Sequence, residues 1–188
     1  MNEQLKNFIT KYIWIVIVLF CIRCLISGEG LINNFSVYDI FGYSGEAISV
    51  ATFIMLLYER VLWKYDPFNC TPVLYKSYSG TIISSYDNIS RQSSLEIKQT
   101  LLTVKVICTT GESKSKSVCA SIYELCGEKK LTYCYLSEPD ALVRSRSPIH
   151  YGNAMLCVDN PKKLKGQYFT DRKTIGDMRF DADIVRNN

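Results

Sequence analysis

The side chains best suited to chemistry in this 188-residue chain are a single histidine and eight cysteines. His150 lies in an alternating sequence typical of a strand, and no GxSxG motif accompanies it, so a nucleophile–base–orienter triad is not indicated. The cysteines lack the short paired spacings of zinc sites, because the single CxxC, from Cys21 to Cys24, falls within an apolar run. No Gly-rich phosphate-binding motif occurs. We therefore expect no catalytic residues, no metal, no cofactor and no enzymatic activity.

A polar segment near the C-terminus, residues 170–174 (TDRKT), has two interpretations. As structure, it is a hairpin turn in which Asp171 and Lys173 face solvent. As a site, it sets the planar donors of Arg172 between the hydroxyl groups of Thr170 and Thr174. The residue types alone favour the turn. A formal net charge of +4 suits an anionic ligand or membrane surface, but so small an excess is also typical of a solvated face.

Two apolar stretches precede this polar part, at about residues 8–26 and 43–63, and each approaches the ~20 residues that cross a bilayer. A signal peptide is the rival interpretation of the first stretch. No small-residue cleavage site follows it, and a second apolar stretch comes soon after. We therefore predict a membrane anchor of two transmembrane helices in residues 1–66 and a separate domain in residues 67–188.

The orientation follows from the basic residues. Lys6 and Lys11 lie at the start of the first stretch, and Arg60 and Lys64 lie at the end of the second. The connecting residues 27–42 contain no Lys or Arg. By the positive-inside rule, both termini lie in the cytoplasm and the connection lies outside.

Charged side chains also fall within or near the apolar stretches, namely Arg23, Glu46, Glu59 and Arg60. A charge at bilayer depth costs ~3 kcal/mol or more unless it is paired or wetted. Two interpretations stay open: side chains that reach the interface from helix ends, or contacts between helices of an assembly. Arg23, near the outer end, could instead pair with a carboxylate.

From residue 72 onward, apolar and polar residues alternate with period two, as in Leu131, Tyr133 and Tyr135. No long amphipathic helix is indicated there. Short antiparallel strands would leave long edges unless the sheet closed, so we predict a small antiparallel β-barrel of about eight strands, with a two-sheet sandwich as the alternative. Strands are predicted at 73–84, 94–99, 101–109, 117–125, 130–136, 149–158, 164–170 and 174–180.

Two further features of this domain are ambiguous. Residues 113–117 (SKSKS) are either an exposed loop or a contact with anionic lipid headgroups. The cysteines of a cytoplasmic domain are expected to be free thiols rather than disulfides.

Three segments of the β part carry a family resemblance when taken with the two apolar stretches: 78–82 (YSGTI), 149–154 (IHYGNA) and 164–176 (LKGQYFTDRKTIG). With them, the chain resembles the membrane effectors of bacterial CBASS anti-phage systems, which join two transmembrane helices to a β-strand-rich domain. His150 and Gly152 belong to the matching segments, and we interpret both as structural.

The resemblance implies a function. In that family, a nucleotidyltransferase (CD-NTase) makes a cyclic oligonucleotide in response to phage, and the β-barrel binds it. The effector then forms homo-oligomers and disrupts the lipids of the inner membrane, so that the infected cell dies. This chain would thus be a multi-pass inner-membrane protein whose ligand is a cyclic dinucleotide or a related cyclic oligonucleotide, with no DNA or RNA polymer as partner.

The resemblance also implies ligand-binding residues. Arg172 would bind phosphate oxygens, with the Thr170 and Thr174 hydroxyl groups beside it. Tyr78 would stack on a base, and Gly80 would permit close approach of the backbone.

Two other functions remain open. The chain could be a membrane-tethered β domain that binds a protein partner without ligand-gated toxicity. A membrane-bound enzyme acting on lipid or peptidoglycan precursors would use His150 or Asp171, with the domain outside the cell.

Overall fold

The computed structural model describes residues 3–27 and 36–183. The chain divides into two compact units, with the boundary between residues 69 and 70. The first unit contains two α-helices and a short 3-10 turn, and the second contains eight antiparallel strands that close into a barrel. This architecture confirms the predicted fold class.

The helices α1 (Glu3–Ile26) and α2 (Val37–Arg60) are each long and apolar enough to cross a membrane, judged by length and composition. Helix α2 begins and ends earlier than predicted, and Ser36, which caps its first turn, accounts for the earlier start. The Ser36 hydroxyl accepts a hydrogen bond from the Tyr38 N–H, and the Asp39 carboxylate accepts one from the Ser36 N–H. Half of the predicted outer connection, residues 28–35, lies outside the described residues.

Small side chains lie where the two helices pack. Ala47 and Ala51 on α2 are buried together with Met55, and Cys24 is buried on α1. Short side chains let helix backbones approach closely, which is a common way to pair helices within a membrane.

Polar contacts fix the antiparallel register of this helix pair. The Arg23 Nε donates to Glu46 Oε2 at 2.7 Å, so Arg23 pairs with a carboxylate, one of the predicted alternatives. At the other end, Lys11 forms an ion pair with Asp66 and donates to the Tyr58 hydroxyl at 2.7 Å. Hydrogen bonds from Lys11, Tyr58 and a backbone N–H lower the pKa of Asp66 to about 2.

The barrel is an up-and-down meander in which each strand pairs with the next and the last pairs with the first. Its closure runs from the Tyr78–Ala182 pair to the Ser84–Gly176 pair. The predicted barrel is therefore confirmed over the sandwich. The strands are β1 (Ser77–Ser84), β2 (Ser90–Gln99), β3 (Val104–Thr110), β4 (Ser113–Leu125), β5 (Glu128–Pro139), β6 (His150–Cys157), β7 (Lys163–Thr170) and β8 (Ile175–Ala182).

Inward side chains alternate along each strand, as predicted for Leu131, Tyr133 and Tyr135, and all three are buried. Together they form one apolar core at the barrel axis. Its fully buried members include Tyr78, Leu95, Leu131, Ala154, Leu156, Val158 and Leu164.

Several predicted strand bounds are wrong. Strand β2 begins at Ser90 rather than residue 94, and residues 100–103 form a turn that hydrogen bonds between Thr100 and Thr103 close. The segment 113–117 is not a loop, because it is the first part of β4, and its contact with lipid headgroups stays a prediction. Alternation of Ser and Lys there is the period-two signal of a strand with a hydroxyl face and a cationic face.

Candidate functional site: a cavity at one end of the barrel

One end of the barrel opens into a cavity of about 360 Å³. The connections that surround its mouth are residues 85–89, 111–112, 140–149 and 171–174. Small-molecule sites typically measure roughly 300–1,000 Å³. The cavity is therefore large enough to hold a small ligand.

The segment 170–174 forms the turn between β7 and β8, as one interpretation of the sequence predicted. Thr170 and Thr174 flank the turn, with their hydroxyl oxygens 2.7 Å apart, and Lys173 has the positive φ of 61° that closes it. The side chains of Thr170, Arg172 and Thr174 all line the cavity. The structure thus brings together three of the five ligand-binding residues that the resemblance implied, and the turn and site interpretations are compatible.

Three arginines line the mouth, and two of them are neutralised by carboxylates. Arg91 forms a two-pronged ion pair with Asp87, and Arg146 donates to Glu112 Oε1 at 2.6 Å. The guanidinium of Arg91 lowers the pKa of Asp87 to about 2, so this carboxylate stays ionised at neutral pH.

Arg172 differs, because no carboxylate among the described residues pairs with it. Its guanidinium donates to Ser147 Oγ at 3.0 Å and to the Arg146 carbonyl at 3.4 Å. Both acceptors are neutral and the side chain is exposed, so no ion pair among the described residues compensates the charge of Arg172 at the mouth. An arginine in this state is suited to bind phosphate oxygens through parallel hydrogen bonds.

Two tyrosine rings in the cavity wall lie across glycines on the neighbouring strand. Tyr135 pairs with Gly152, and Tyr168 pairs with Gly176. A Cβ atom at either glycine would overlap the facing ring. The glycines therefore let both rings lie against the wall, where they present flat aromatic surfaces. The structural role predicted for Gly152 has a physical basis in this contact.

Hydroxyl groups line much of the remaining wall. Ser113 and Ser115 contribute from β4, Ser137 from β5, and His150 lies beside them at the start of β6. The ring Nδ1 of His150 is 2.9 Å from the Pro148 carbonyl oxygen. Sequence reasoning missed these serines, although the alternation of residues 113–117 was the signal that could have found them.

Tyr78 and Gly80 do not lie at this cavity. Tyr78 is buried, and its hydroxyl donates to the Pro161 carbonyl at 2.8 Å while it accepts from the Tyr75 N–H at 2.9 Å. Burial raises the pKa of Tyr78 to about 12. A Cβ at Gly80 would overlap the Phe180 ring and the neighbouring backbone, so this glycine permits close contact between β1 and β8. Their predicted contacts with a ligand have no support from this geometry.

The cavity combines a cationic group suited to an anion, Arg172, with two aromatic rings suited to stacking, Tyr135 and Tyr168. Among the described residues, no group of three His, Cys, Asp or Glu side chains is placed to hold a metal ion. The fold and the cavity together define a closed β-barrel, preceded by two helices long and apolar enough to cross a membrane, with a cavity of the size typical of small-molecule sites.

Comparison with known proteins identifies the family. Residues 71–182, which include all eight strands, match the family model described as Cap15, cyclic dinucleotide receptor domain. The chain is also 31% identical over 184 residues to CD-NTase-associated protein 15 of Staphylococcus schleiferi, which covers 96% of this chain and 98% of that protein. This chain therefore belongs to the Cap15 family of CD-NTase-associated proteins, and the resemblance found in the sequence is confirmed.

Proposed function

We propose that this chain is an effector of CBASS antiviral defence that binds a cyclic dinucleotide in the barrel cavity, forms homo-oligomers and disrupts the inner membrane. The observation that carries the proposal is the exposed guanidinium of Arg172, without a carboxylate partner among the described residues, at the mouth of a cavity in a Cap15 receptor domain. The nucleotide would come from a CD-NTase.

The ligand chemistry supports this assignment. A cyclic dinucleotide carries two phosphates and two flat bases, so it needs cationic donors and stacking surfaces in one site. Arg172 supplies the cation, Thr170 and Thr174 supply hydroxyl donors, and the rings of Tyr135 and Tyr168 supply the surfaces. A charge-assisted hydrogen bond contributes about 1.5–3 kcal/mol, and base stacking contributes roughly 1–3 kcal/mol.

The membrane part of the proposal is supported by helix length and charge. Lys6 and Lys11 lie near the start of the first helix, and Arg60 and Lys64 lie at or just after the end of the second. This distribution of basic residues favours cytoplasmic termini. A cytoplasmic barrel could meet a messenger made inside the cell. Receptor function needs no catalysis, so we propose that the chain is not an enzyme and holds no cofactor.

Dye release from vesicles tests this function. The full chain, reconstituted in vesicles of bacterial inner-membrane lipids, should release dye only after addition of a cyclic dinucleotide that it binds. Arg172→Ala should require about 10–100 times more ligand, because it loses a charge-assisted contact of about 1.5–3 kcal/mol. Arg179→Ala, on the outer face of β8, is the matched control and should behave as wild type.

A different result would favour the alternative function. If the chain binds a cyclic dinucleotide but releases no dye, membrane disruption is wrong. If it neither binds a cyclic dinucleotide nor releases dye, the chain is better described as a membrane-tethered interaction module.

A further inference from the structure

Tyr133, which lines the inner part of the cavity, carries a buried hydroxyl group without a hydrogen-bond partner among the described residues. Its side chain is only 2% exposed and lines the cavity. The Tyr133 hydroxyl is one of three buried side-chain polar atoms without a hydrogen-bond partner among the described residues; the others belong to Trp63 and Ser93, and neither of these lines the cavity. An unsatisfied buried polar group costs about 1–3 kcal/mol, so its retention needs an explanation.

The cavity is divided by depth into a charged part and a neutral part. All of its charged groups belong to the turns or strand ends at the mouth, including Arg91, Arg146 and Arg172. Tyr133 is the cavity residue farthest from the mouth along β5. The lining residues farthest from the mouth on β1, β3 and β8 are also neutral, namely Ile82, Cys108 and Met178.

This division determines which part of a nucleotide fits each depth. A phosphate beside Tyr133 would be buried without a cation, at a large cost in desolvation. A nucleobase is flat and neutral and carries hydrogen-bond acceptors on its edge, so it fits an apolar inner cavity with one polar group. The phosphates would then remain at the mouth, beside Arg172.

We propose that the Tyr133 hydroxyl donates a hydrogen bond to an acceptor atom of a nucleobase inserted into the inner cavity, and so helps determine which base is bound. This inference rests on the proposed function, because it takes a cyclic dinucleotide as the ligand of the cavity. Burial also raises the pKa of Tyr133 well above its usual value, which keeps the hydroxyl protonated and able to donate.

The proposal predicts opposite effects of one substitution on stability and on binding. Tyr133→Phe removes the unpartnered hydroxyl but keeps the ring, so the free protein should melt at the same or a higher temperature. Binding of the preferred ligand should weaken about tenfold, because a buried hydrogen bond is lost. Tyr78→Phe provides the contrast in stability, since its hydroxyl has two partners; that variant should melt at a lower temperature.

The test uses the full chain in detergent, with cyclic di-AMP, cyclic di-GMP and cyclic di-UMP titrated by calorimetry at low and high salt. Tyr133→Phe should weaken the tightest of these complexes about tenfold at both salt concentrations, because the contact is between neutral groups. The substitution should also reduce the difference in affinity among the three ligands. Tyr151→Phe, on the outer face of β6 and 55% exposed, should bind as wild type.

Three results would overturn the inference. Wild-type affinity of Tyr133→Phe for all three ligands would show that the hydroxyl does not contact the base. A melting temperature as low as that of Tyr78→Phe would show that the hydroxyl stabilises the fold. Failure of the wild-type chain itself to bind any cyclic dinucleotide would refute the proposed function together with this inference.

Discussion

Gly166 in β7 is one of the positions where the barrel should tolerate a methyl group least. A Cβ atom there would overlap the Met155 carbonyl oxygen and the Leu156 Cα on β6, which are backbone atoms of a paired strand. Side-chain rotation cannot relieve such an overlap, so the two strands must separate. In a closed barrel, that movement strains the hydrogen bonds that join β7 to β6 and to β8.

The cost can be worked from these contacts. Overpacking costs about 1–3 kcal/mol, and a rigid backbone neighbour places this site in the upper part of that range. Alanine regains roughly 0.5–1 kcal/mol, because glycine is disfavoured within a strand. Gly166→Ala should therefore lower the free energy of unfolding by roughly 2 kcal/mol and the melting temperature by roughly 10 °C.

Cys108 provides a readout specific to the barrel. Its thiol is 6% exposed, so it becomes reactive when the barrel opens. Urea-dependent alkylation of the full chain, with the Cys108 peptide quantified by mass spectrometry, should show Gly166→Ala opening at lower urea than wild type. Gly111→Ala is the control, because a Cβ there meets nothing within 4 Å.

Gly152→Ala should affect stability in this alkylation assay less than it affects ligand binding measured by calorimetry. The three atoms nearest to its Cβ belong to the far part of the Tyr135 ring, which can rotate away, so the loss of stability should be smaller than for Gly166→Ala. The displaced ring would enter the cavity and weaken ligand binding. If Gly166→Ala is as stable as Gly111→Ala, the packing argument for the barrel interior is refuted.

Three other predictions follow from the charges, thiols and helices. The pKa of Asp87 is lowered from 3.8 to about 2, so the stability that this carboxylate contributes is present above pH 3.8 and is lost as the pH falls towards 2. As the pH falls between those values, the free energy of unfolding should decrease more for wild type than for Asp87→Asn. The pKa of Cys108 is raised to about 12 by burial, so native Cys108 should resist iodoacetamide at mildly alkaline pH while the exposed Cys119 reacts, and equal rates would contradict this. A chain without residues 1–63, shown by circular dichroism to be folded, should bind a cyclic dinucleotide but release no dye from vesicles; release by this fragment would refute a role for the helices.

The barrel could be predicted from the sequence because its determinants are local. Period-two alternation in Leu131, Tyr133 and Tyr135 identified an inward face, and turn residues such as Gly127 separated the strands. Strand ends were less accurate, since polar strands such as residues 113–117 lack the apolar alternation that guided the prediction.

The site was only partly predictable, because it depends on which strands become neighbours. Thr170, Arg172 and Thr174 are close in sequence and could be found as one segment. Tyr135 and Gly152 meet only through the register of β5 and β6, which the sequence does not display. The resemblance implied a stacking role for Tyr78, but the contacts of this tyrosine are those of a core side chain.

A calorimetric titration of the full chain in detergent with cyclic dinucleotides tests the central claim most directly, namely that the cavity binds this ligand through Arg172. We predict saturable binding by wild type and by Arg179→Ala, and binding about 10–100 times weaker by Arg172→Ala with unchanged melting of the free protein. Equal affinity of Arg172→Ala and wild type for every ligand would contradict the account.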